Sequence, residues 1–192
     1  MTSSNETELD LSVLAEVAGR VGRQIGDDGL EGADGRGLRV GVACALFNGG
    51  ITTRLLDGCL SGLAEASVDR SDTTVAWVPG AFELPLAAQR FAEGGAIDAV
   101  VCLGAVIRGD TSHFDFVAGE CASGLSRVAL ETGVPVIFGV LTTDNVEQAL
   151  ERARPDETNK GREAALSAVQ MATTLRSIGV ATAPRLARRV GA

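Results

Sequence analysis

The chain has 192 residues, a formal net charge of −8 at pH 7 and a hydrophobic fraction of 45%. Such a length is typical of one globular domain that buries roughly 70% of its unfolded surface. The acidic balance argues against nucleic acid or an anionic membrane surface as the main partner and favours a small molecule, without excluding a local basic pocket for a phosphate. No apolar run reaches the length of a membrane span and the N-terminus lacks the features of a signal peptide, so we expect a cytoplasmic protein.

The four cysteines, Cys44, Cys59, Cys102 and Cys121, show no C-x-x-C spacing, and two of them lie in apolar, strand-like runs. We therefore interpret them as small buried hydrophobic residues of a protein kept in a reducing compartment. With a single histidine and no paired cysteines, a structural zinc site has almost no ligands to draw on.

Residues 1–37 differ in composition from the rest, and we predict that they form an acidic N-terminal extension and linker, followed by an α/β domain over residues 38–192. The extension holds eight carboxylates and three arginines, so most of the net negative charge lies in it. Some of its apolar residues recur at steps of three and four, as on one face of a helix: Leu11, Leu14, Val17, Val21 and Ile25. Because an isolated short helix is marginal in water, two interpretations stay open, a mobile solubilising tail and a docking helix.

From residue 38 onwards, apolar strand-like runs alternate with helical patterns. The predicted strands cover residues 38–47, 73–80, 96–107 and 134–141, and the predicted helices cover 49–66, 82–94, 112–133, 144–153 and 159–179. Asp144 and Glu147 have the spacing of a capping box at the start of the fourth helix. Strands that are apolar throughout and alternate with helices indicate a parallel sheet covered on both faces. We predict a three-layer α/β/α sandwich of the flavodoxin-like kind with a four-stranded parallel sheet.

Ligands of such sheets bind beyond the carboxyl ends of the strands, and His113, the only histidine, lies at that edge after the third strand. The loop before it, residues 109–112, precedes a helix, so its backbone N–H groups predict either an anion site or an ordinary cap by Thr111 or Ser112. A lone histidine near a helix start is often structural, but a strand-end loop beside an anion site favours proton transfer.

Two cations and two further strand-end residues also admit plain structural explanations. Lys160 starts the last helix and opposes its dipole at a cost of about 0.3–1 kcal/mol, which a nearby anion would remove and which water would otherwise screen. Arg152 would ordinarily pair with Gln148 or Glu147 of its own helix. Glu83 lies in the first turn of a helix, where an acid is favoured with or without a ligand. Phe47 lies at the end of a strand, where its ring could stack on a ligand only if it is exposed.

The same segments, in order, resemble the 6,7-dimethyl-8-ribityllumazine synthase family. They are "FN" at 47–48, "PGAFELP" at 79–85, "GAVIRGDTSHFDFVAGE" at 104–120, "GVPVIFGVLTTDNVEQALERA" at 133–153 and "NKG" at 159–161. The resemblance covers roughly residues 38–180. It implies condensation of 5-amino-6-(D-ribitylamino)uracil with 3,4-dihydroxy-2-butanone 4-phosphate, which gives the lumazine, phosphate and water in riboflavin biosynthesis, without a metal or an organic cofactor.

The resemblance also implies roles for individual residues. Phe47 would stack on the pyrimidine, the ring and the ribityl hydroxyls would be held by Asn48, Ala81, Phe82 and Glu83, and backbone groups of Val106 and Ile107 would read the uracil edge. Gly109, Asp110, Thr111 and Arg152 would contact the phosphate, with Lys160 close by. An inward carboxylate of Asp110 would repel that phosphate, so we expect mostly backbone contacts there. His113 would transfer protons beside the leaving phosphate, and with Arg152 and Lys160 it forms the predicted catalytic set.

The resemblance further implies an assembly. Phe138, Arg152 and Lys160 would come from the neighbouring subunit, so that the site exists only in a pentamer or in a hollow icosahedral shell of 60 subunits. Riboflavin synthase is a candidate partner, whereas nucleic acid and membrane are not. The alternative is a non-catalytic flavin- or lumazine-binding protein, or a shell protein, on the same scaffold.

Overall fold

The structure, a computed structural model, describes residues 33–182. The segment of the N-terminal extension for which a mobile tail and a docking helix both stay open lies outside the described residues, and so do residues 183–192. The division between an extension over residues 1–37 and a domain over residues 38–192 therefore stays a prediction.

A single four-stranded parallel sheet organises the described part of the chain. Its strands are β1 (Val40–Ala45), β2 (Thr73–Val78), β3 (Ala99–Ile107) and β4 (Val136–Thr143), and their order across the sheet is β2-β1-β3-β4. All three strand pairs are parallel, and Val42 lies opposite both Val75 and Val101. The number and direction of the predicted strands are confirmed.

Helices cover both faces of the sheet, as predicted. They are α1 (Gly49–Glu65), α2 (Leu84–Glu93), α3 (His113–Thr132), α4 (Val146–Arg152) and α5 (Lys160–Thr182), with short 3-10 turns at Arg70–Asp72 and Ala81–Glu83. One apolar cluster joins the sheet to α1, α4 and α5, and a second joins its other face to α2 and α3. The three-layer, flavodoxin-like α/β/α architecture is thereby confirmed. No helix within the described range is long and apolar enough to cross a membrane.

The central strand β3 supplies both apolar clusters. Val101 and Leu103 point into the α1/α5 side, whereas Val100 and Cys102 point into the α2/α3 side, and all four are fully buried. Because side chains alternate between the faces of a strand, a strand covered on both sides must be apolar at nearly every position. Each large side chain buried in this way stabilises the fold by about 1.5–3 kcal/mol.

Several predicted boundaries were wrong by a few residues. β1 is shorter at both ends than the predicted strand, and at its carboxyl end Leu46 and Phe47 lie beyond the ladder and are exposed. β4 runs two residues further than predicted, to Thr143. The predicted capping box of Asp144 and Glu147 is also displaced by one residue: Asn145 caps α4 by accepting from the Gln148 N–H at 2.9 Å.

The start of α5 is fastened to α1 through Asn159, which is only 2% exposed. Its Oδ1 accepts the N–H groups of Gly161 at 2.8 Å and Arg162 at 3.3 Å, which caps the helix. Its Nδ2 donates to the carbonyls of Arg154 at 2.8 Å and Arg54 at 3.2 Å. All hydrogen-bonding atoms of this buried amide are therefore used, and α5 begins at a fixed point against α1.

The four cysteines are free thiols buried in the core, as predicted. Burial raises the pKa of Cys44 and Cys59 to about 12 and that of Cys121 to about 11. Burial also raises the pKa of Cys102 well above its ordinary value. Each thiol is thus held in its neutral, unreactive form near neutral pH.

We predict that Gly161→Ala lowers the free energy of unfolding by about 2–3 kcal/mol, because a Cβ at this position would overlap the carbonyl of Leu55 on α1. Gly179→Ala is the matched control, since it lies on the same helix with no heavy atom within 4 Å of its would-be Cβ. That control should be neutral or stabilising by up to about 1 kcal/mol. Chemical denaturation measures both, and equal changes in the two variants would contradict the close approach of α1 and α5.

We also predict that none of the four thiols reacts with an aromatic disulfide reagent at pH 8 while the protein is folded. Their pKa values are raised by burial, so the thiolate is scarce and the reagent has no access. After unfolding in guanidinium chloride, all four should react. A thiol titrated rapidly in the native protein would show that at least one cysteine is exposed.

Candidate active site

A cavity of about 450 Å³ opens at the carboxyl ends of β1, β2 and β3 and at the start of α3. We refer to it as the first cavity. It is lined by nine of the fourteen residues predicted for the site: Phe47, Ala81, Phe82, Glu83, Val106, Ile107, Gly109, Thr111 and His113. The structure therefore brings together residues that three separate strand ends contribute, as expected at this edge of a parallel sheet.

Phe47 meets the condition for stacking on a ligand, because its ring is exposed. Its backbone N–H donates to the Pro79 carbonyl at 3.1 Å, so the segments that follow β1 and β2 remain in contact beyond the strands. The side chain is 70% exposed and lies at the cavity rather than in the core. A planar ring of this kind offers a flat apolar face to a planar ligand.

Asn48 does not line the first cavity, although it was predicted to hold the substrate. Its backbone adopts the left-handed conformation, with φ 56° and ψ 38°, which asparagine tolerates better than most residues. Its Nδ2 donates to the Ala105 carbonyl at 2.9 Å. The side chain thus joins the end of β1 to β3, and its position gives it a structural role at the cavity's edge.

The predicted anion loop, residues 109–112, forms one wall of the first cavity. Gly109 and Thr111 line the cavity, whereas the exposed Asp110 between them does not, so its carboxylate is not among the groups that face the ligand space. The capping alternative is only weakly met: Ser112 makes no side-chain cap, and Thr111 Oγ1 accepts the His113 N–H at 3.4 Å. His113 is the first residue of α3 and is exposed at the cavity.

A second cavity of about 330 Å³ lies beside the edge strand β4 and the start of α5. It collects Phe138, Arg152 and Lys160, the three residues that the resemblance assigned to a neighbouring subunit. None of them lines the first cavity. Within one chain, the predicted catalytic set is thus divided, with His113 at one cavity and the two cations at the other.

The two cations of the second cavity also make local contacts. Arg152 Nη1 donates to the Gln148 carbonyl at 3.0 Å, so the expected contact with its own helix is present through the backbone. Lys160 Nζ forms an ion pair with Glu163, at 2.7 and 2.6 Å to its two carboxylate oxygens. Both partners are nearly half exposed, and such a pair exchanges readily for another anion because it contributes little to stability.

The chemical contents of the two cavities are complementary. The described lining of the first contains aromatic rings, backbone groups, Glu83 and His113, but no lysine or arginine. The described lining of the second cavity contains Arg152 and Lys160, but no histidine. Across residues 33–182 no cluster of three or more His, Cys, Asp or Glu side chains is arranged to hold a metal ion.

Sequence reasoning missed Arg108, which follows β3 directly. Its guanidinium contacts Asp115 at 3.2 Å and Asp144 at 3.4 Å, and lies 4.1 Å from the centroid of the Phe114 ring, which lines the first cavity. The hydrogen bond that Arg108 donates to Asp115 is the main cause that raises the pKa of Arg108, and Asp144 adds a smaller contribution in the same direction. The only signal in the sequence is a lone cation between an apolar strand and an acid seven positions later.

Comparison with known families agrees with this geometry. A family model described as 6,7-dimethyl-8-ribityllumazine synthase matches residues 37–176. The matched range includes the whole sheet and all fourteen predicted site residues. The chain therefore belongs to the 6,7-dimethyl-8-ribityllumazine synthase family, which is a family of enzymes.

Proposed function

We propose that this protein condenses 5-amino-6-(D-ribitylamino)uracil with 3,4-dihydroxy-2-butanone 4-phosphate to give 6,7-dimethyl-8-ribityllumazine, phosphate and water. The observation that carries the proposal is the division of the site. A member of this family presents an aromatic cavity with a histidine on one surface and a cation pair on another, and each holds what the other lacks.

The first cavity suits the pyrimidine. Phe47 offers an exposed ring for stacking, and Phe82 and Glu83 lie in the turn that follows the neighbouring strand β2. The ladder between β1 and β3 ends at Leu103, while β3 remains paired with β4 as far as Ile107. Beyond Leu103, the peptide groups of β3 that face β1 are therefore outside the ladder, and those that Asn48 does not bond would be available to a ligand.

Strand geometry favours Ile107 as the residue that reads the uracil edge. The Ala105 carbonyl faces the β1 side, because it accepts from Asn48. Peptide groups alternate between the two sides of a strand, so Ile107 also faces that side, and Val106 faces β4. Val106 would then contribute its side chain to the cavity wall, while the peptide groups of Ile107 would bond the uracil.

The second cavity suits the phosphate. A departing phosphate needs positive charge beside it, and the described lining of the first cavity holds no lysine or arginine to supply it. Arg152 provides a planar fork that matches a phosphate, and Lys160 provides a mobile point charge that would leave Glu163 for the stronger anion. A protein that only binds riboflavin or a lumazine, neither of which carries a phosphate, has no need of this pair.

A cyclic assembly would bring the first cavity of one subunit against the second cavity of its neighbour. Because the two cavities are different surfaces of one chain, the contact that joins them is head-to-tail, and such contacts form a ring when the rotation between successive subunits closes. We propose a pentamer in which the first cavity of each subunit meets Phe138, Arg152 and Lys160 of the next, either alone or as part of a shell of 60 subunits. We further propose a cytoplasmic location and riboflavin synthase as a partner.

The reaction would proceed without a metal or an organic cofactor, since the substrate amine is itself the nucleophile. The protein's part is to hold two reactants in contact, transfer protons during imine formation and stabilise the leaving phosphate. His113 lies on the wall that includes Gly109 and Thr111, so its imidazole stands beside the proposed phosphate position. We assign it the proton transfers, and Arg152 and Lys160 the charge of the phosphate.

We predict that His113→Ala lowers kcat by on the order of 10–100-fold, because a positioned proton-transfer group is lost. The KM for the pyrimidine should change much less. Lumazine formation is followed by absorbance and corrected for the slow uncatalysed condensation. Gln89→Ala is the control, because this side chain bonds Glu93 on the same helix and lines neither cavity, and it should behave as the unmodified protein. Equal losses in kcat and in pyrimidine binding would argue against a proton-transfer role.

We predict that the His113→Ala and Arg152→Ala proteins, each impaired when assembled alone, regain activity when they are co-assembled. In a randomly mixed ring, about a quarter of the sites would combine an intact His113 from one chain with an intact Arg152 from its neighbour. Arg154→Ala is the control for Arg152→Ala, since this exposed arginine pairs only with Glu151 among its described ion-pair partners and should stay active alone. No recovery in mixed assemblies would contradict a site shared between subunits.

A further inference from the structure

Arg108 occupies the point where β3 ends and the predicted anion loop begins. Its backbone N–H donates to the Thr143 carbonyl at 2.8 Å, which continues the β3–β4 pairing by one step past Ile107. The main chain of Arg108 is therefore held in the sheet. Its side chain, in contrast, turns towards groups that follow the loop.

The guanidinium touches groups on two other elements. Asp115 and Phe114 belong to the first turn of α3, with one carboxylate oxygen at 3.2 Å and the ring centroid at 4.1 Å. Asp144 belongs to the connection between β4 and α4, with a carboxylate oxygen at 3.4 Å. One planar cation thus accounts for a face contact with an aromatic ring and two hydrogen bonds, which a lysine could not reproduce together.

These contacts close the loop from end to end. Residues 109–112 leave from Arg108 and return at His113, and the Arg108 side chain reaches across to Phe114 and Asp115 just beyond the return. The loop itself is exposed and has few bonds of its own, such as the long 3.4 Å contact of Thr111 with the His113 N–H. Contacts at its two ends therefore determine where its N–H groups and His113 lie.

We propose that Arg108 is a positioning residue for the reaction, whose guanidinium holds residues 109–113 in the conformation that presents the loop N–H groups and His113 to the phosphate-bearing substrate. The inference rests on the proposed function, because it assigns a task to that site. It concerns a residue that touches neither substrate in the proposed arrangement and acts through Phe114 and Asp115.

The contacts of Arg108 are expected to matter more for catalysis than for the free energy of unfolding. Arg108 and its two carboxylate partners are roughly half exposed or more, and ion pairs of this kind contribute little to the free energy of unfolding. A reaction between two bound molecules, in contrast, is sensitive to displacements of about 1 Å in the groups that orient them. Loss of the guanidinium should therefore impair catalysis far more than it impairs folding.

Asp144, the second carboxylate partner of Arg108, also makes contacts that lead to the second cavity. The Asp144 N–H donates to Gln148 Oε1 at 3.0 Å, and the Gln148 carbonyl accepts from Arg152 at 3.0 Å. Asp144 therefore connects Arg108 to the second cavity, whereas Asp115 connects it to the loop.

The two carboxylate partners of Arg108 can be tested separately. If Arg108 acts through the loop, Asp115→Asn should reproduce much of the kinetic effect of Arg108→Gln, and the effect of the double variant should be smaller than the sum of the two single effects.

The test compares Arg108→Gln, Arg108→Lys and the control Arg90→Gln in the assembled full-length protein. Arg90 undergoes the same chemical change at an exposed helical pair with Glu93, away from both cavities. For Arg108→Gln we expect the KM for the butanone phosphate to rise by about tenfold and kcat to fall. The KM for the pyrimidine should stay within about twofold, because β3 remains held by its ladder. The lysine variant should be intermediate, and Arg90→Gln unchanged.

A second measurement does not depend on turnover. Amide hydrogen exchange should become faster at residues 109–113 in Arg108→Gln and not in Arg90→Gln, with unchanged melting temperature in both. Equal increases in both KM values together with a lower melting temperature would overturn the proposal in favour of a general structural role. Kinetics and exchange that match Arg90→Gln would also overturn it. If the unmodified protein forms no lumazine, the proposed function fails, and local exchange still decides whether Arg108 holds the loop.

Discussion

The unequal pairing of β3 with its two neighbours governs the shape of the candidate site. β3 is bonded to β1 only as far as Leu103, but to β4 as far as Ile107. The sheet edge therefore has a step on the β1 side, which the chain leaving β1 borders with Phe47 and Asn48. A cavity forms in this step, and the requirement that β3 be apolar on both faces keeps its floor rigid.

Asn48 and Asn159 show how polar side chains fix the functional ones without lining the cavities. Asn48 ties the end of β1 to the Ala105 carbonyl, so that the neighbouring Phe47 ring stands at the step. Asn159 uses every polar atom of its amide to fasten the start of α5, so that Lys160 emerges at the second cavity. In both places an amide side chain bonded to another element determines where its exposed neighbour lies.

Much of the fold could be predicted from the sequence, because its strands are continuous apolar runs and its helices have clear periodicity. Strand ends were less predictable, since Leu46 and Phe47 are apolar and yet lie beyond the ladder. The sequence pattern drew attention to some of the site residues, such as His113 and Lys160, and the resemblance supplied the rest and their roles; twelve of the fourteen line one of the two cavities. Asn48 differs because a left-handed backbone and a bond to β3 depend on tertiary packing. The contacts of Arg108 were invisible for the same reason, as Asp144 is 36 positions away in the sequence.

The separation of the two cavities on one chain has a consequence for how activity depends on protein concentration. In the proposed arrangement, a single subunit has no complete site, and an open row of subunits leaves one unfilled cavity at each end. Only a closed ring uses every half. Specific activity would then report the fraction of first cavities that are paired with a neighbouring subunit, so that dilution below the dissociation constant of the assembly would abolish catalysis while leaving each subunit folded.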